Sequence, residues 1–204
     1  MNNTYFIGGS PCSGKSTVSE ALCKKFNLQY FKVDDYLDKY LELGAQINRN
    51  ACQTAHSLSP DNLWMRNPQV QCEEELLIYQ EIMDFILEDL EALPQNKPIL
   101  TEGAAFLPCL MNKINIPRNR YLSLTTTREF QIFHYKQREW VPYVLEGCTD
   151  KPKAFSNWME RDVLFAEDVR KQCQEYGYYS IVNNGEISIA KLIQKVSEHF
   201  ELKK

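Results

Sequence analysis

Residues 9–17 read Gly9-Ser10-Pro11-Cys12-Ser13-Gly14-Lys15-Ser16-Thr17. This stretch fits the pattern G-x-x-x-x-G-K-[ST], in which the backbone N–H groups of a glycine-rich loop surround phosphate oxygens. Residues 4–7 before it have the composition of a short buried strand, and residues 17–26 after it have the apolar spacing of a helix. A strand, this loop and a helix in that order predict a nucleoside triphosphate site that includes every residue of the stretch.

Individual residues of this loop have predictable roles. Gly9 and Gly14 allow the backbone to turn so that its N–H groups point into one concavity. The helix that begins near Lys15 adds the partial positive charge of its N-terminus. Lys15 is predicted to reach the outer phosphates as a catalytic cation, and the Ser16 hydroxyl is predicted to ligate Mg²⁺. The expected cofactors are therefore ATP and Mg²⁺.

Two adjacent acids follow a second predicted strand over residues 30–33. Ligands of open α/β sheets bind beyond the carboxyl ends of the strands, so this position is suited to chemistry. We predict that Asp34 is the catalytic base and that Asp35 caps the following helix or contacts the phosphoryl acceptor. The sequence leaves open which of the two acids is the base.

The segment from residue 44 to residue 66 lacks a helical or strand pattern, and Gln, Asn, Ser, His and Pro are frequent in it. A long irregular segment inside a compact domain is more often functional than not. We therefore predict an acceptor-side insertion over residues 36–66. His56, Trp64 and Arg66 are its candidate acceptor contacts, with a structural role as the alternative for each.

A third predicted strand, residues 98–101, ends in Glu102. An acid at the tip of an apolar strand orders Mg²⁺ or polarises a nucleophile in proteins that bind nucleoside triphosphates. The predicted metal site consequently contains Ser16 and Glu102.

Two arginines flank a segment that predicts a mobile loop, residues 141–153. Arg138 precedes this loop, and Arg161 lies on the helix that is predicted to follow it from about residue 154. Such an arrangement suits a lid over residues 136–162 that folds both guanidinium groups onto the transferred phosphoryl group. Surface ion pairs are the alternative role for these arginines.

Composition excludes several classes of function. The formal net charge is −4, and no basic stripe is available to replace the counterions of a nucleic acid. Seven cysteines without a C-x-x-C pair indicate free thiols in a reducing cytoplasm. No apolar run approaches the length of a membrane span. We therefore expect a cytoplasmic protein that binds neither nucleic acid nor membrane.

The order of these motifs resembles that of the small P-loop kinases, which include nucleoside and nucleotide kinases, shikimate kinase and chloramphenicol phosphotransferase. The matching parts are residues 9–17, Val33-Asp34-Asp35, Thr101-Glu102-Gly103 and the arginine-bearing lid. In that group the acid after the second strand accepts the proton of the acceptor hydroxyl or ligates the metal, so the resemblance implies that role for Asp34. The chain departs from nucleoside kinases in lacking their dense R-x-x-R-x-x-R-D lid spacing.

Together these features predict one α/β domain over residues 1–204, with a three-layer P-loop NTPase fold and a helical lid. The expected sheet has five parallel strands, and the resemblance implies the order 2-3-1-4-5. The expected function is ATP-dependent phosphoryl transfer to a hydroxyl group of a small molecule. A nucleoside triphosphate hydrolase that uses Glu102 is one alternative, and a nucleotide-dependent switch protein with little turnover is another. The acceptor, the choice between ATP and GTP, and the oligomeric state stay open.

Overall fold

The protein is described here by a computed structural model that covers residues 3–203. Its sheet contains five strands: β1 Thr4–Gly8, β2 Gln29–Lys32, β3 Ile99–Glu102, β4 Tyr121–Thr126 and β5 Tyr179–Asn183. The strands are parallel and lie in the order β2-β3-β1-β4-β5. Both the strand number and the strand order predicted from the sequence are confirmed.

Helices cover both faces of this sheet. They are α1 Lys15–Phe26, α2 Leu37–Gln46, α3 Asn50–Ser57, α4 Pro60–Trp64, α5 Pro68–Ala92, α6 Pro108–Lys113, α7 Arg128–Tyr135, α8 Val141–Val144, α9 Lys151–Tyr176 and α10 Ile189–His199. Over residues 3–203 no helix has both the length and the apolar character that a membrane crossing requires.

The strand β1 separates two apolar cores. Because side chains alternate along a strand, Phe6 faces one side of the sheet while Tyr5 and Ile7 face the other. Phe6 belongs to a core with residues of α5 and α9, and Ile7 belongs to a core with residues of α1 and α10. The three central strands, β1, β3 and β4, are buried along their whole length, as expected for a parallel sheet that is covered on both faces.

The segment from residue 44 to residue 66 was predicted to be irregular, and this prediction is wrong. The segment contains the end of α2 together with α3 and α4. The carboxylate of Glu81, on α5, accepts hydrogen bonds from the N–H groups of Ala51 and Cys52 over 3.1 Å and 3.0 Å. These N–H groups belong to the first turn of α3, where no partner exists within the helix. A residue distant in sequence thus caps α3, so the local pattern contains no sign of the helix.

The lid segment is also more helical than the sequence predicts. Val141–Val144 form α8, and α9 begins at Lys151, within the predicted mobile loop. The side chain of Asp150 caps α9 by accepting a hydrogen bond from the Lys153 N–H over 3.0 Å. At the other end of α9, Gly177 adopts a left-handed conformation with a φ of 70°, as expected for a residue that terminates a helix.

The strand register brings the predicted site residues to one edge of the sheet. Glu102, the last residue of β3, pairs with Ile7 of β1 on one side and with Lys32 of β2 on the other. The loop after β1 and the acids after β2 therefore start at the same level as Glu102. This edge is where ligands of open parallel sheets bind.

Candidate active site

The loop between β1 and α1 forms a tight turn against β4. The backbone φ angle is positive at Gly9 (117°), Cys12 (57°) and Gly14 (95°). The Ser10 N–H donates to the carbonyl oxygen of Leu124 over 3.0 Å, which fixes the loop to the neighbouring strand. Turns of this kind direct successive N–H groups toward one concavity, which then binds anions.

Gly9 has no room for a side chain. A Cβ atom at this position would lie 1.8 Å from the carbonyl oxygen of Leu124, and the φ of +117° disfavours L residues. We expect Gly9→Ala to displace the loop, and so to lower both the melting temperature and the affinity for ATP. Thermal denaturation and calorimetric titration with ATP measure the two effects.

Gly177→Ala is the matched control for this substitution. Gly177 also has a positive φ (+70°), but a Cβ atom there would meet only the side chain of Arg118. This variant should lose stability and retain its affinity for ATP. Normal ATP binding by Gly9→Ala would contradict the role of the loop.

Lys15, the first residue of α1, lies folded over this loop. Its Nζ atom donates to the carbonyl oxygen of Ser10 over 2.8 Å, and the residue is buried. Within residues 3–203 its ammonium group forms no ion pair. The amide of Asn183, at the end of β5, donates to the Ser13 carbonyl oxygen over 3.0 Å and supports the loop from the other side. The ammonium group is therefore available to an anion in the loop.

Glu102 connects the loop to two strands. Its Oε1 atom accepts hydrogen bonds from the hydroxyl groups of Ser16, over 2.8 Å, and of Tyr30, over 2.9 Å. Glu102 is fully buried, and its Oε2 atom has no hydrogen-bond partner in the described part of the chain. A buried carboxylate oxygen without a partner is costly unless it binds a donor or a cation. These residues fit a Mg²⁺ site, which in proteins is typically completed by water and phosphate oxygens.

A cavity of about 700 Å³ opens in front of the loop. Its lining includes the aromatic rings of Phe130 and His134, both on α7, which lie 4.1 Å apart. It also includes Asp34 and Tyr79; the other lining residues outside the loop are Lys32, Leu37, Ala104, Tyr135, Gln137, Arg138, Trp140, Asn183 and Ile189. The phosphate loop thus shares one cavity with aromatic rings and with an acid.

The two acids after β2 point to different surroundings. Asp34 is exposed and lines the cavity. Asp35 does not belong to the lining; it forms an ion pair with Lys32 at 3.1 Å, and its side chain is 62% exposed. The predicted capping role of Asp35 is wrong, because the residue that precedes α2 is Tyr36 and no side chain caps this helix. Of the two, Asp34 alone is positioned to meet a molecule in the cavity.

Arg138 lines the cavity from the segment that follows α7. Its guanidinium group lies over the rings of Tyr135 and Trp140 at 5.0 Å and 5.4 Å from the ring centroids. No carboxylate pairs with it in the part of the chain that the structure describes. Stacking on two rings holds the guanidinium group while its N–H donors stay free.

Comparisons with known proteins agree with this architecture. Neither a protein-family model nor a curated protein matches the sequence. Among solved structures, TT1252 from Thermus thermophilus is similar over 98% of both chains, with 16% sequence identity and a TM-score of 0.53. The deoxyadenosine kinase from M. mycoides with bound dATP is similar over 97% of this chain and 99% of that chain, with 15% identity and a TM-score of 0.50. The chain has a P-loop NTPase-like fold.

Arg161 does not occupy its predicted place in this fold. It is absent from the cavity lining, and its guanidinium group binds Asp162 and Glu75 over 2.6 Å and 2.9 Å. Arg161 lies on the face of α9 that packs against α5, where its N–H groups donate to Asp162 and its guanidinium group forms an ion pair with Glu75. The predicted contact between Arg161 and a phosphoryl group is therefore not supported. Arg138 lines the cavity, and its contact with a phosphoryl group stays a prediction.

The three predicted acceptor contacts in residues 44–66 also lie outside the cavity lining. Trp64 is buried and stacks on Trp158 with 4.7 Å between the ring centroids. Arg66 forms an ion pair with Glu74 at 2.6 Å. His56 is exposed on α3. For Trp64 and Arg66 the alternative structural role fits the contacts, because each is held by a neighbouring helix.

In the sequence, the helix terminus and Lys15 near Cys12 predict a lowered pKa and a reactive thiol, but the structure indicates the opposite direction for this pKa. Burial raises the pKa of the Cys12 thiol to about 11, against the opposing effect of Arg138 and Lys15. Desolvation of the thiolate therefore outweighs the attraction of the nearby positive charges. Since the thiolate is the reactive form, a raised pKa makes the thiol inert at neutral pH.

We accordingly expect Cys12 to react slowly with iodoacetamide. A pKa about two units above that of an ordinary thiol reduces the thiolate fraction roughly 100-fold at neutral pH. Mass spectrometry of the intact protein against a short cysteine peptide measures the ratio of the two rates. Arg138→Met should slow the reaction further, because Arg138 lowers the pKa of the thiol. Alkylation of Cys12 as fast as the peptide would contradict this assignment.

Sequence reasoning missed several residues of the site, and three of them are tyrosines: Tyr30, Tyr79 and Tyr135. Tyr79 has the spacing of an apolar helix stripe in the sequence, yet it lines the cavity and donates to Glu75 over 2.7 Å. Tyr30 was assigned to a strand, yet its hydroxyl binds Glu102. A tyrosine fits an apolar stripe as well as a phenylalanine does, since its ring is apolar and only its tip is polar. The one available signal was the choice of Tyr over Phe at buried positions.

Proposed function

We propose that this protein transfers the terminal phosphoryl group of ATP to a hydroxyl group of a small molecule. In this reaction the acceptor oxygen forms a bond to phosphorus while the bond between that phosphorus and the oxygen of ADP breaks. The proton of the acceptor hydroxyl passes to Asp34. The similarity to the deoxyadenosine kinase from M. mycoides supports this type of reaction at the level of the fold.

The observation that carries the proposal is the position of Asp34. It shares one cavity with the phosphate loop, and among residues 3–203 no cation pairs with it. A carboxylate that is already held in an ion pair would be a poor base, whereas a free one beside the site of transfer can accept a proton. A protein that only bound nucleotide would not need an unpaired acid in this cavity.

Other residues of the cavity would bind the nucleotide and the acceptor. Lys15 and Arg138 would contact the phosphate oxygens, where positive charge stabilises the transition state of phosphoryl transfer. The aromatic rings of Phe130 and His134 would contact the base of the nucleotide. Asp34 and Tyr79 would contact the acceptor. The acceptor hydroxyl would then meet the terminal phosphate between these two groups of residues.

Ser16 and Glu102 would hold Mg²⁺ together with phosphate oxygens of the nucleotide. Bound there, the ion would neutralise charge that develops on the phosphates. Within residues 3–203 no group of three or more His, Cys, Asp or Glu residues is arranged to hold a metal ion. This fits an ion that arrives with the nucleotide, as Mg²⁺ commonly does.

Hydrolysis by water is the second reaction that the site could perform, with Glu102 as the residue that positions water. Glu102 is less suited to this role than Asp34 is to its own. It is fully buried, and one of its oxygens already accepts hydrogen bonds from Ser16 and Tyr30. A switch protein with little turnover would need neither Asp34 as a base nor Glu102 to position water.

A screen for the acceptor tests the proposal. The full chain is heated with a non-hydrolysable ATP analogue and Mg²⁺ in the presence of nucleosides, nucleotides, sugars, antibiotics or other hydroxyl-bearing metabolites. Compounds that raise the melting temperature are then assayed with ATP for consumption of nucleotide and for a phosphorylated product. A kinase consumes ATP faster with its acceptor and yields that product. A hydrolase consumes ATP equally without any compound, and a switch protein consumes almost none.

We also propose that the protein works in the cytoplasm on a small-molecule partner. All seven cysteines are free thiols, and four of them are buried. Free thiols persist in reducing compartments. The net charge of −4 does not favour nucleic acid as a partner.

A further inference from the structure

Two tyrosines on different walls of the cavity donate hydrogen bonds to carboxylates behind it. Tyr79, on α5, donates to the Oε1 atom of Glu75 over 2.7 Å. Tyr135, on α7, donates to the Oδ2 atom of Asp162 over 3.1 Å. Both tyrosines line the cavity, and both are buried apart from that face. Each hydroxyl is thereby fixed in direction by an acid that no ligand of the cavity would touch.

Arg161 joins the two acids to each other. Its Nε and Nη2 atoms donate to the Oδ1 atom of Asp162 over 2.8 Å and 2.6 Å, and its Nη1 atom lies 2.9 Å from the Oε2 atom of Glu75. Its guanidinium group also lies over the ring of Trp64 at 5.2 Å from the centroid. The planar guanidinium is rigid, so it sets the position of one carboxylate relative to the other.

The arrangement of Glu75 and Asp162 depends on the positive charge of Arg161. Burial raises the pKa of Asp162, Arg161 lowers it, and the charge of Glu75 raises it again. Asp162 is buried and Glu75 is half-buried, and two such carboxylates that face one guanidinium group would repel each other if that group were removed. A lysine keeps the charge but lacks the fork that binds two carboxylates at once.

Tyr79 and Tyr135, the two tyrosines that this set of contacts joins, lie near Asp34 and Arg138, the proposed base and the proposed phosphate contact. Burial and the charges of Glu75 and Asp34 raise the pKa of Tyr79, so Tyr79 lies within the electrostatic influence of Asp34. The ring of Tyr135 lies under the guanidinium group of Arg138. A continuous series of contacts therefore begins at Tyr79, on the wall of the cavity to which we assign the acceptor (the acceptor wall). It passes through Glu75, Arg161 and Asp162 and ends at Tyr135, beside the lid segment.

We propose that Arg161 is a positioning residue, which holds the acceptor wall and the lid in one relative arrangement through Glu75 and Asp162. Its importance for catalysis rests on the proposed function, but the mechanical link between the two tyrosines does not. An ordinary buried ion pair would stabilise the packing of α5 on α9 without connecting two cavity residues.

The link is tested first without nucleotide, by ¹⁹F NMR of the full chain labelled with 3-fluorotyrosine. The chain has 11 tyrosines, and Tyr79→Phe and Tyr135→Phe assign the two signals of interest. We expect Tyr79→Phe to shift the Tyr135 signal in the parent protein, and to leave it in place when Arg161→Met is also present. A Tyr135 signal that ignores Tyr79→Phe in the parent protein would overturn the link.

A matched control removes a different arginine that also pairs with α9. Arg128 forms an ion pair with Glu160, the neighbour of Arg161, and both partners are largely exposed. Arg128→Met should leave both tyrosine signals unchanged, whereas Arg161→Met should shift both. If the two variants shift the tyrosine signals equally, the effect is a general response to losing an ion pair and the proposal is wrong.

Addition of a non-hydrolysable ATP analogue with Mg²⁺ separates the two proposals. Calorimetry shows whether the analogue binds. If it binds, we expect the Tyr79 signal to shift in the parent protein and this response to be lost in Arg161→Met. An unchanged response in Arg161→Met would refute the positioning role, although the proposed function would stand. If the analogue binds to neither protein, the proposed function fails, and the nucleotide-free spectra alone decide the link.

A milder variant covers the case in which Arg161→Met does not fold. Tyr135→Phe removes one hydroxyl oxygen and leaves the Arg161 ion pairs in place. It should shift the Tyr79 signal and weaken its response to the analogue. A Tyr79 signal that is unaffected by Tyr135→Phe would contradict the proposal independently of the arginine.

Discussion

Replacing Lys15 with alanine is expected to remove most of the affinity for ATP while the fold persists. The Lys15 ammonium group donates to one backbone oxygen and forms no ion pair within the described residues, so its remaining donors would bind phosphate. Hydrogen bonds to charged groups contribute about 1.5–3 kcal/mol each. Since every 1.4 kcal/mol changes the dissociation constant about tenfold, we expect Kd for ATP–Mg²⁺ to rise by about 10- to 100-fold.

Isothermal titration calorimetry measures this change, and thermal denaturation shows whether the variant is folded. The control is Lys39→Ala, which removes a surface lysine that pairs with Asp89 at 2.7 Å. Exposed ion pairs contribute about 0–1 kcal/mol to stability, and Lys39 does not line the cavity. We therefore expect normal ATP binding in Lys39→Ala. A folded Lys15→Ala protein with the affinity of the parent would refute the phosphate-loop assignment.

The features that could be predicted from the sequence are those specified by neighbouring residues. The phosphate loop is a contiguous pattern, and its glycines have positive φ at Gly9 and Gly14 because the turn demands it. Most of the strands are short, largely apolar runs, and the expected number of five is confirmed. The strand order needed the resemblance to small P-loop kinases, because sequence patterns define strands but not their neighbours.

The features that could not be predicted depend on contacts between distant segments. The helix α3 begins where Glu81 of α5 accepts hydrogen bonds from its N–H groups. Arg161 was expected in the cavity, yet Glu75 and Asp162 bind it behind the wall. For Cys12, the sequence identified the positive neighbours correctly, but it contained no measure of the burial that dominates the pKa of the thiol.

The same reasoning explains why Asp34 and Asp35 could not be assigned separately in advance. Adjacent residues in a single helical turn point in different directions, and the turn over residues 33–36 was not apparent in the sequence. In the structure Lys32, on the preceding strand, pairs with Asp35 and leaves Asp34 to the cavity. A basic residue three positions before one acid was the local signal that could have distinguished them.

Asp34→Asn is expected to reduce phosphoryl transfer strongly and to leave ATP binding intact. Asparagine has nearly the size of aspartate but cannot accept the proton of the acceptor hydroxyl. Loss of a general base typically lowers the rate by about 10²- to 10⁴-fold. The nucleotide contacts the phosphate loop at the other side of the reaction centre, so its dissociation constant should change little. Rates are measured with the acceptor from the thermal-shift screen, and ATP affinity is measured by calorimetry.

Asp35→Asn is the matched control for this prediction, because it makes the same chemical change at the neighbouring position. It removes an ion pair with Lys32 whose acid is 62% exposed, so we expect a small loss of stability, of about 1 kcal/mol or less, and a nearly normal rate. Equal rate losses in both variants would mean that the two acids act together. A fully active Asp34→Asn protein would exclude the base role, and Glu102 with hydrolysis would become the better assignment. A selective loss in Asp34→Asn would support Asp34, the acid on the cavity wall, as the base in phosphoryl transfer.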